Sequence, residues 1–300
     1  MPLMARMLEQ GNNNEAQRPR AKVVAVTSGK AGVGKTSLAF NVGCELSRRG
    51  YRTVLIDADL GLASPHILTG ARPEQPLADD VSGAATLADV VTPSPCGLRL
   101  VRVSSRAGHL ADLDDEDRGR ICRAVEQLRA DCDVILLDTA AGAGRDVTDF
   151  VALADETVLV TTNNFAAIAD ACGVVEVLDR DGFDRPVHAV VNRARSAEEA
   201  AQVFAKLRGC TERFLGFELN WLGLLPEHSS VEGAASQRTP LSEAFPGSAA
   251  ARYLAELVSG LERRFEAPRP VAVGAEDGLG ATWERVRPRV ERDGETGKEG

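Results

Sequence analysis

Short apolar runs alternate along the chain with segments whose apolar residues recur at helical spacing. Residues 22–27, 52–57, 98–103, 133–138, 156–162, 187–193 and 217–225 read as strands. Helical spacing covers 36–46, 117–130, 165–180, 196–208 and 246–265. Several of the strand runs are apolar almost throughout, as strands covered on both faces are. The alternation predicts one α/β domain with a mostly parallel sheet flanked by helices and right-handed crossovers. The expected limits are a domain over 21–266, with segments 1–20 and 267–300 outside it. Gly11-Asn12-Asn13-Asn14-Glu15 offers nothing to bury, and the segment from Ala267 is rich in Pro, Gly and charge.

The first strand, loop and helix carry the main chemical signal. Gly29-Lys30-Ala31-Gly32-Val33-Gly34-Lys35-Thr36 matches the phosphate loop G-x-x-x-x-G-K-[ST] in full, between a predicted strand and a predicted helix. Glycines let successive backbone N–H groups turn toward one anion, and the helix that follows adds positive charge at its start. Lys35 is then placed for β- and γ-phosphates and the Thr36 hydroxyl for Mg²⁺, with Ser37 next to them. The second strand ends in Asp57 and Asp59, two residues apart and so on one side of the chain. A third apolar strand ends in Asp138, the form expected of an acid that holds a metal-bound water. Ligands of open α/β sheets bind at the carboxyl ends of strands, which brings the loop and these acids to one edge.

With these residues in view, the chain resembles the MinD/ParA group of P-loop ATPases, whose loop carries an extra lysine, here Lys30. Four tracts bring it nearest to the FlhG branch of flagellar-number regulators: residues 57–64, 138–142, 214–226 and 244–250, within a resemblance that spans about 22–265. The resemblance implies a P-loop NTPase domain and a homodimer that forms with ATP and falls apart after hydrolysis. Lys30 reaches the partner's phosphates, Lys35 binds phosphate, and Thr36, Asp57 and Asp138 hold Mg²⁺ directly or through water. Asp59 orients the attacking water, Asn192 reads adenine, and Pro226 flanks the base. It further implies slow hydrolysis, a flagellar GTPase of the signal-recognition type as partner, and flagellar switch and basal-body proteins beyond it.

The chain departs from the family at three places. Alanine stands at Ala31 where the family has glycine, and a need for φ > 0 there would weaken the loop. Thr161-Thr162-Asn163-Asn164-Phe165 replaces a Thr-Thr-Pro-Glu type of sequence, and Cys172 stands near the family's tyrosine. The N-terminal Asp-Gln-Ala motif is missing, although Leu3, Met4, Met7 and Leu8 have helical spacing.

Composition narrows the partners. The net charge is −9, and Arg180, Arg185, Arg193 and Arg195 are interleaved with acids, which argues against nucleic acid. The six cysteines form no C-x-x-C pair and the four histidines are isolated, so reduced thiols and no iron–sulfur or zinc site are expected. No apolar run reaches the roughly 20 residues of a membrane span, and no secretory signal is seen, which places the protein in the cytoplasm. Trp283, Val286 and Val290 have helical spacing, broken by Pro288, and leave open a transient membrane contact. Two other readings stand beside the flagellar one: a MinD- or ParA-like positioning ATPase for division or DNA, and a non-hydrolysing ATP-binding adaptor.

Overall fold

The computed structural model describes residues 20–59, 91–102 and 115–265. The segment 60–64, the turn at Leu3 to Leu8 and the Trp283 to Val290 pattern lie outside the described residues. The strands are β1 (Lys22–Ser28), β2 (Thr53–Ala58), β3 (Val91–Pro93), β4 (Arg99–Arg102), β5 (Val134–Ala141), β6 (Glu156–Thr161), β7 (Val187–Ala194) and β8 (Asn220–Pro226). The helices are α1 (Lys35–Arg48), α2 (Asp115–Asp131), α3 (Arg145–Val151), α4 (Phe165–Arg180), α5 (Ala197–Leu215), α6 (Ser229–Gln237), α7 (Leu241–Ala244) and α8 (Ala249–Glu262).

The sheet runs β3-β4-β2-β5-β1-β6-β7-β8, with every pairing parallel except β3 against β4. Alternation along the strands divides the core into two layers. Val23, Ala25, Ile135 and Leu137 pack with residues of α2, α3, α4 and α5. Val24, Val26, Val134 and Leu136 face the other way, onto α1, α7 and α8. Burying one such Leu or Ile is worth about 1.5–3 kcal/mol. Both faces being covered explains why these strands read as continuous apolar runs.

Caps and positive-φ residues set the element ends. The Ser196 hydroxyl accepts from Glu199 N at 3.1 Å, while the Glu199 carboxylate accepts from Arg195 N at 2.6 Å, so α5 starts where its sequence signals. It runs to Leu215, beyond the expected residue 208, and stops at Gly216 with φ 68°. That stop delays β8 to Asn220 from the expected 217. Ser248 caps α8, accepting from Ala251 N, and the helix covers 249–262 within the expected 246–265.

Arg49, just past α1, ties the two ends of one layer together. Its guanidinium donates to Glu45 at 2.9 Å, to Ser259 Oγ at 3.0 Å, to Glu262 at 2.5 Å and to the Ala255 carbonyl at 2.9 Å. One thiol expectation is corrected: Cys44 of α1 and Cys96 of the β3–β4 turn are joined as a disulfide, with Cα atoms 5.5 Å apart. The pair is 52 residues apart, and only the packing of α1 beside the β3–β4 turn brings it together. No helix among the described residues is long and apolar enough to cross a membrane.

Candidate nucleotide site

At the carboxyl edge of the sheet, β1 ends in Ser28 and the chain turns through residues 29–34 into α1. Gly34 is the N-cap of α1 in a left-handed conformation, φ 92°, without a side-chain cap, and the first turn holds no acid. The start of α1 thus keeps its N–H groups and its partial positive charge for an anion. A Cβ on Gly29 would lie 2.1 Å from the backbone of Asp170 on α4, so only glycine lets the loop sit against that helix. Gly32 has φ 79°, whereas Ala31 is not among the positive-φ residues, so alanine fits the loop without backbone strain.

Lys35, 6% exposed, sends its ammonium into the site. Nζ donates to Asp138 Oδ1 at 3.0 Å and to Asp59 Oδ2 at 3.3 Å. Asp57 and Asp138 are register partners on the neighbouring strands β2 and β5, so both carboxylates leave the same face of the sheet. Asp57 Oδ1 also accepts from Asp59 N at 3.2 Å. Burial pushes the Asp138 carboxyl above its ordinary value, against the pull of the Lys35 charge and hydrogen bonds from Thr36 and Lys35. Asp138 and Asp59 thus pair with Lys35, Thr36 bonds to Asp138, and Asp57 stands in register beside it.

The remaining predicted residues flank this centre. Lys30 is half exposed, with Nζ 4.0 Å from Asp170 Oδ2 on α4. Ser37 lies in the first turn of α1, and its carbonyl accepts from Asn41 Nδ2 at 2.8 Å. Asn192, at the end of β7, donates from Nδ2 to the Val33 carbonyl at 2.7 Å. Pro226 ends β8 and pairs in register with Ala194, two residues beyond Asn192. Two features had no signal in the reading of the chain. Asp170 meets Lys30 only because α4 packs on the loop, and Phe165, first residue of α4, is 89% exposed.

The residues fit Mg²⁺ with a nucleoside polyphosphate. Asp138 Oδ2 is a buried oxygen without a hydrogen-bond partner, as a carboxylate meant for a metal or its water would be. Space around Gly32 is open, since a Cβ there would meet nothing within 4 Å. Among the described residues no cluster of three or more His, Cys, Asp or Glu forms a dedicated cage. Mg²⁺ needs none, because it keeps waters and takes one or two carboxylates beside substrate phosphates.

Fold and site together define a P-loop nucleotide-binding protein with a doubly covered parallel sheet. Residues 24–241 match the CobQ/CobB/MinD/ParA nucleotide binding domain, and the chain belongs to that family. The chain is 37% identical to the antiactivator FleN of Pseudomonas aeruginosa over 229 residues, covering 76% of this chain and 82% of FleN. It is 26% identical to the flagellum site-determining protein YlxH of Helicobacter pylori, covering 75% and 76% of the two chains. Among solved structures, the septum site-determining protein MinD of Pyrococcus horikoshii, complexed with Mg-ADP, superposes with a TM-score of 0.65 at 19% identity, covering 81% and 97%. The MinC:MinD cell division complex of Aquifex aeolicus gives 0.67 at 23%, covering 84% and 99%.

Proposed function

We propose that this chain is an ATP-dependent dimerisation switch that hydrolyses ATP slowly and governs the number or placement of flagella. The observation that carries the nucleotide part is the convergence of Lys35, Asp138 and Asp59 at the phosphate loop, 3.0 and 3.3 Å apart. The flagellar part is supported by the likeness to FleN and YlxH. That Ala31 is not among the positive-φ residues supports an intact phosphate loop.

In this reading Lys35 gives up its carboxylate partners to hold the β- and γ-phosphates. Asp59, whose carboxylate stands 3.3 Å from Lys35 Nζ, is the acid that orients the attacking water. Mg²⁺, held by Thr36 and by Asp57 and Asp138 directly or through water, would neutralise charge on the phosphates. The products are ADP and phosphate, and without a stimulating partner such switches turn over as slowly as about 10⁻⁴ per second.

Dimerisation joins two copies through the face that carries Lys30. An exposed ion pair such as Lys30 with Asp170 is worth only about 0–1 kcal/mol, so Lys30 leaves it at little cost for a phosphate across the interface. Phe165 lies on the helix that bears Asp170, and burying a phenyl ring is worth about 1.5–3 kcal/mol. A face with one cation, one anion and a bare aromatic ring is complementary to itself, as a two-fold dimer requires. The partners expected are a signal-recognition-type flagellar GTPase and basal-body proteins in the cytoplasm, with the fold spanning 21–266.

The test is sedimentation of the full chain with Mg·ATP, with Mg·ADP and without nucleotide, beside release of phosphate. A shift from monomer to dimer with ATP alone supports the switch. A single species under all three conditions refutes it.

A further inference from the structure

Asn192 sits at the end of β7, 159 positions from the residue its side chain touches. Its Nδ2 donates to the Val33 carbonyl at 2.7 Å, and its Oδ1 accepts from Arg193 N at 2.9 Å. Arg193 itself is left-handed, with φ 54°. Asn192 is 6% exposed, so the amide is packed as well as bonded. A Cβ on Gly34 would lie 2.3 Å from Nδ2, so this amide also reserves the space over the loop.

We propose that Asn192 is a positioning residue for the phosphate loop, a role that rests on the nucleotide site above. The carbonyl of Val33 and the N–H of Gly34 belong to one planar trans peptide and point in opposite directions. By holding that carbonyl outward, Asn192 aims the Gly34 N–H toward the cradle. An amide has two N–H donors and two acceptor lone pairs, and one of each is spent here. The other donor and the other lone pair stay available to a base, so a single side chain joins the base position to the phosphate position. The ligand class that feels this link is any Mg-polyphosphate, with or without a nucleoside.

Inorganic tripolyphosphate carries the phosphates and no base, and so separates the two roles. Affinities for Mg-tripolyphosphate and for Mg·ATP are to be measured by calorimetry for the full chain, for Asn192→Asp and for Asn192→Ser. Aspartate keeps the shape but cannot donate to Val33, and serine is too short to reach it without adding charge. Both variants are expected to lose about tenfold in affinity for both ligands, the cost of one buried hydrogen bond with its acceptor left unpaired. The ratio of the two affinities then stays near its wild-type value. Tripolyphosphate binding that is unchanged in a folded variant, whether or not ATP binding falls, overturns the positioning role. A wild-type chain that binds neither probe overturns the nucleotide site itself. Serine carries the comparison should the aspartate variant fail to fold.

Discussion

The ammonium of Lys35 lies 3.0 Å from Asp138, a residue with no exposed surface, and the two form the charged centre of the site. Removing the lysine leaves a carboxylate uncompensated in the core. Lys35→Ala is therefore expected to abolish Mg·ATP binding and to lower stability without nucleotide by about 3 kcal/mol, as breaking a buried ion pair does. Calorimetric titration and urea unfolding measure the two effects. Unchanged stability would show that Asp138 is held by other groups.

Acid acts on two sets of carboxyls in opposite directions. Burial lifts Asp138 above its ordinary 3.8, so on acidification its carboxyl takes up a proton earlier than an exposed aspartate and that proton competes with metal. Mg-dependent nucleotide affinity is expected to fall with pH earlier than an ordinary aspartate would dictate, with proton release on binding. Titrations in buffers of different ionisation enthalpy detect that release.

Glu45 and Asp133 behave the other way. Burial pushes each up, but Arg48 and Arg49 on Glu45, and Arg52 on Asp133, outweigh it and hold both below their ordinary values of 4.5 and 3.8. Their stabilisation is complete above those values and is lost as pH falls through the lower folded-state ones. Urea midpoints from pH 6 to pH 3 should be flat at first and then drop. A midpoint that rises on acidification would mean that Asp138 dominates.

Asp59→Ala is expected to bind ATP, to hydrolyse it about a hundredfold more slowly, the usual scale for losing a positioned acid–base group, and to accumulate as a dimer. Lys30→Ala should bind ATP and stay monomeric. Phe165→Asp should do the same, since a charge replaces the bare ring while the loop is untouched. Sedimentation with ATP separates the dimeric Asp59 variant from the two monomeric ones. A normal dimer from Phe165→Asp would place the interface elsewhere.

Arg49→Met removes a cation shared by Glu45 and Glu262, 1% and 9% exposed in their side chains. A loss of about 2 kcal/mol is expected, because Arg48 still serves Glu45. The loss should appear in thermal unfolding, with nucleotide affinity preserved.

The parts that were legible in the chain share a physical cause. β1 and β5 were readable because both faces are buried, which makes whole strands apolar, and the loop was readable because phosphate binding demands residue types at fixed spacing. Asp57, Asp59 and Asp138 stood out as charges closing apolar runs. α3 and α7 were missed because helices of seven and four residues have too few turns to show a period. α6 was missed for its Ser, Gly and Ala content, and β3 because a three-residue strand ending in proline looks like a turn. Contacts between distant residues were hidden for another reason. Lys30 with Asp170, Asn192 with Val33 and Cys44 with Cys96 exist only once sheet, loop and helices have assembled, and no local pattern encodes them.

Asp57 and Asp138 stand side by side in the β2–β5 register, and neighbouring strands lie about 4.8 Å apart. The gap between these two acids is thus ruled by the backbone ladder, a distance that every parallel pair of strands shares. Surface loops can be rewritten in length and sequence without altering that gauge. A slip of one residue in β2 would turn Asp57 to the opposite face and undo it at a stroke, so the pairing of two interior strands constrains how this chain can diverge.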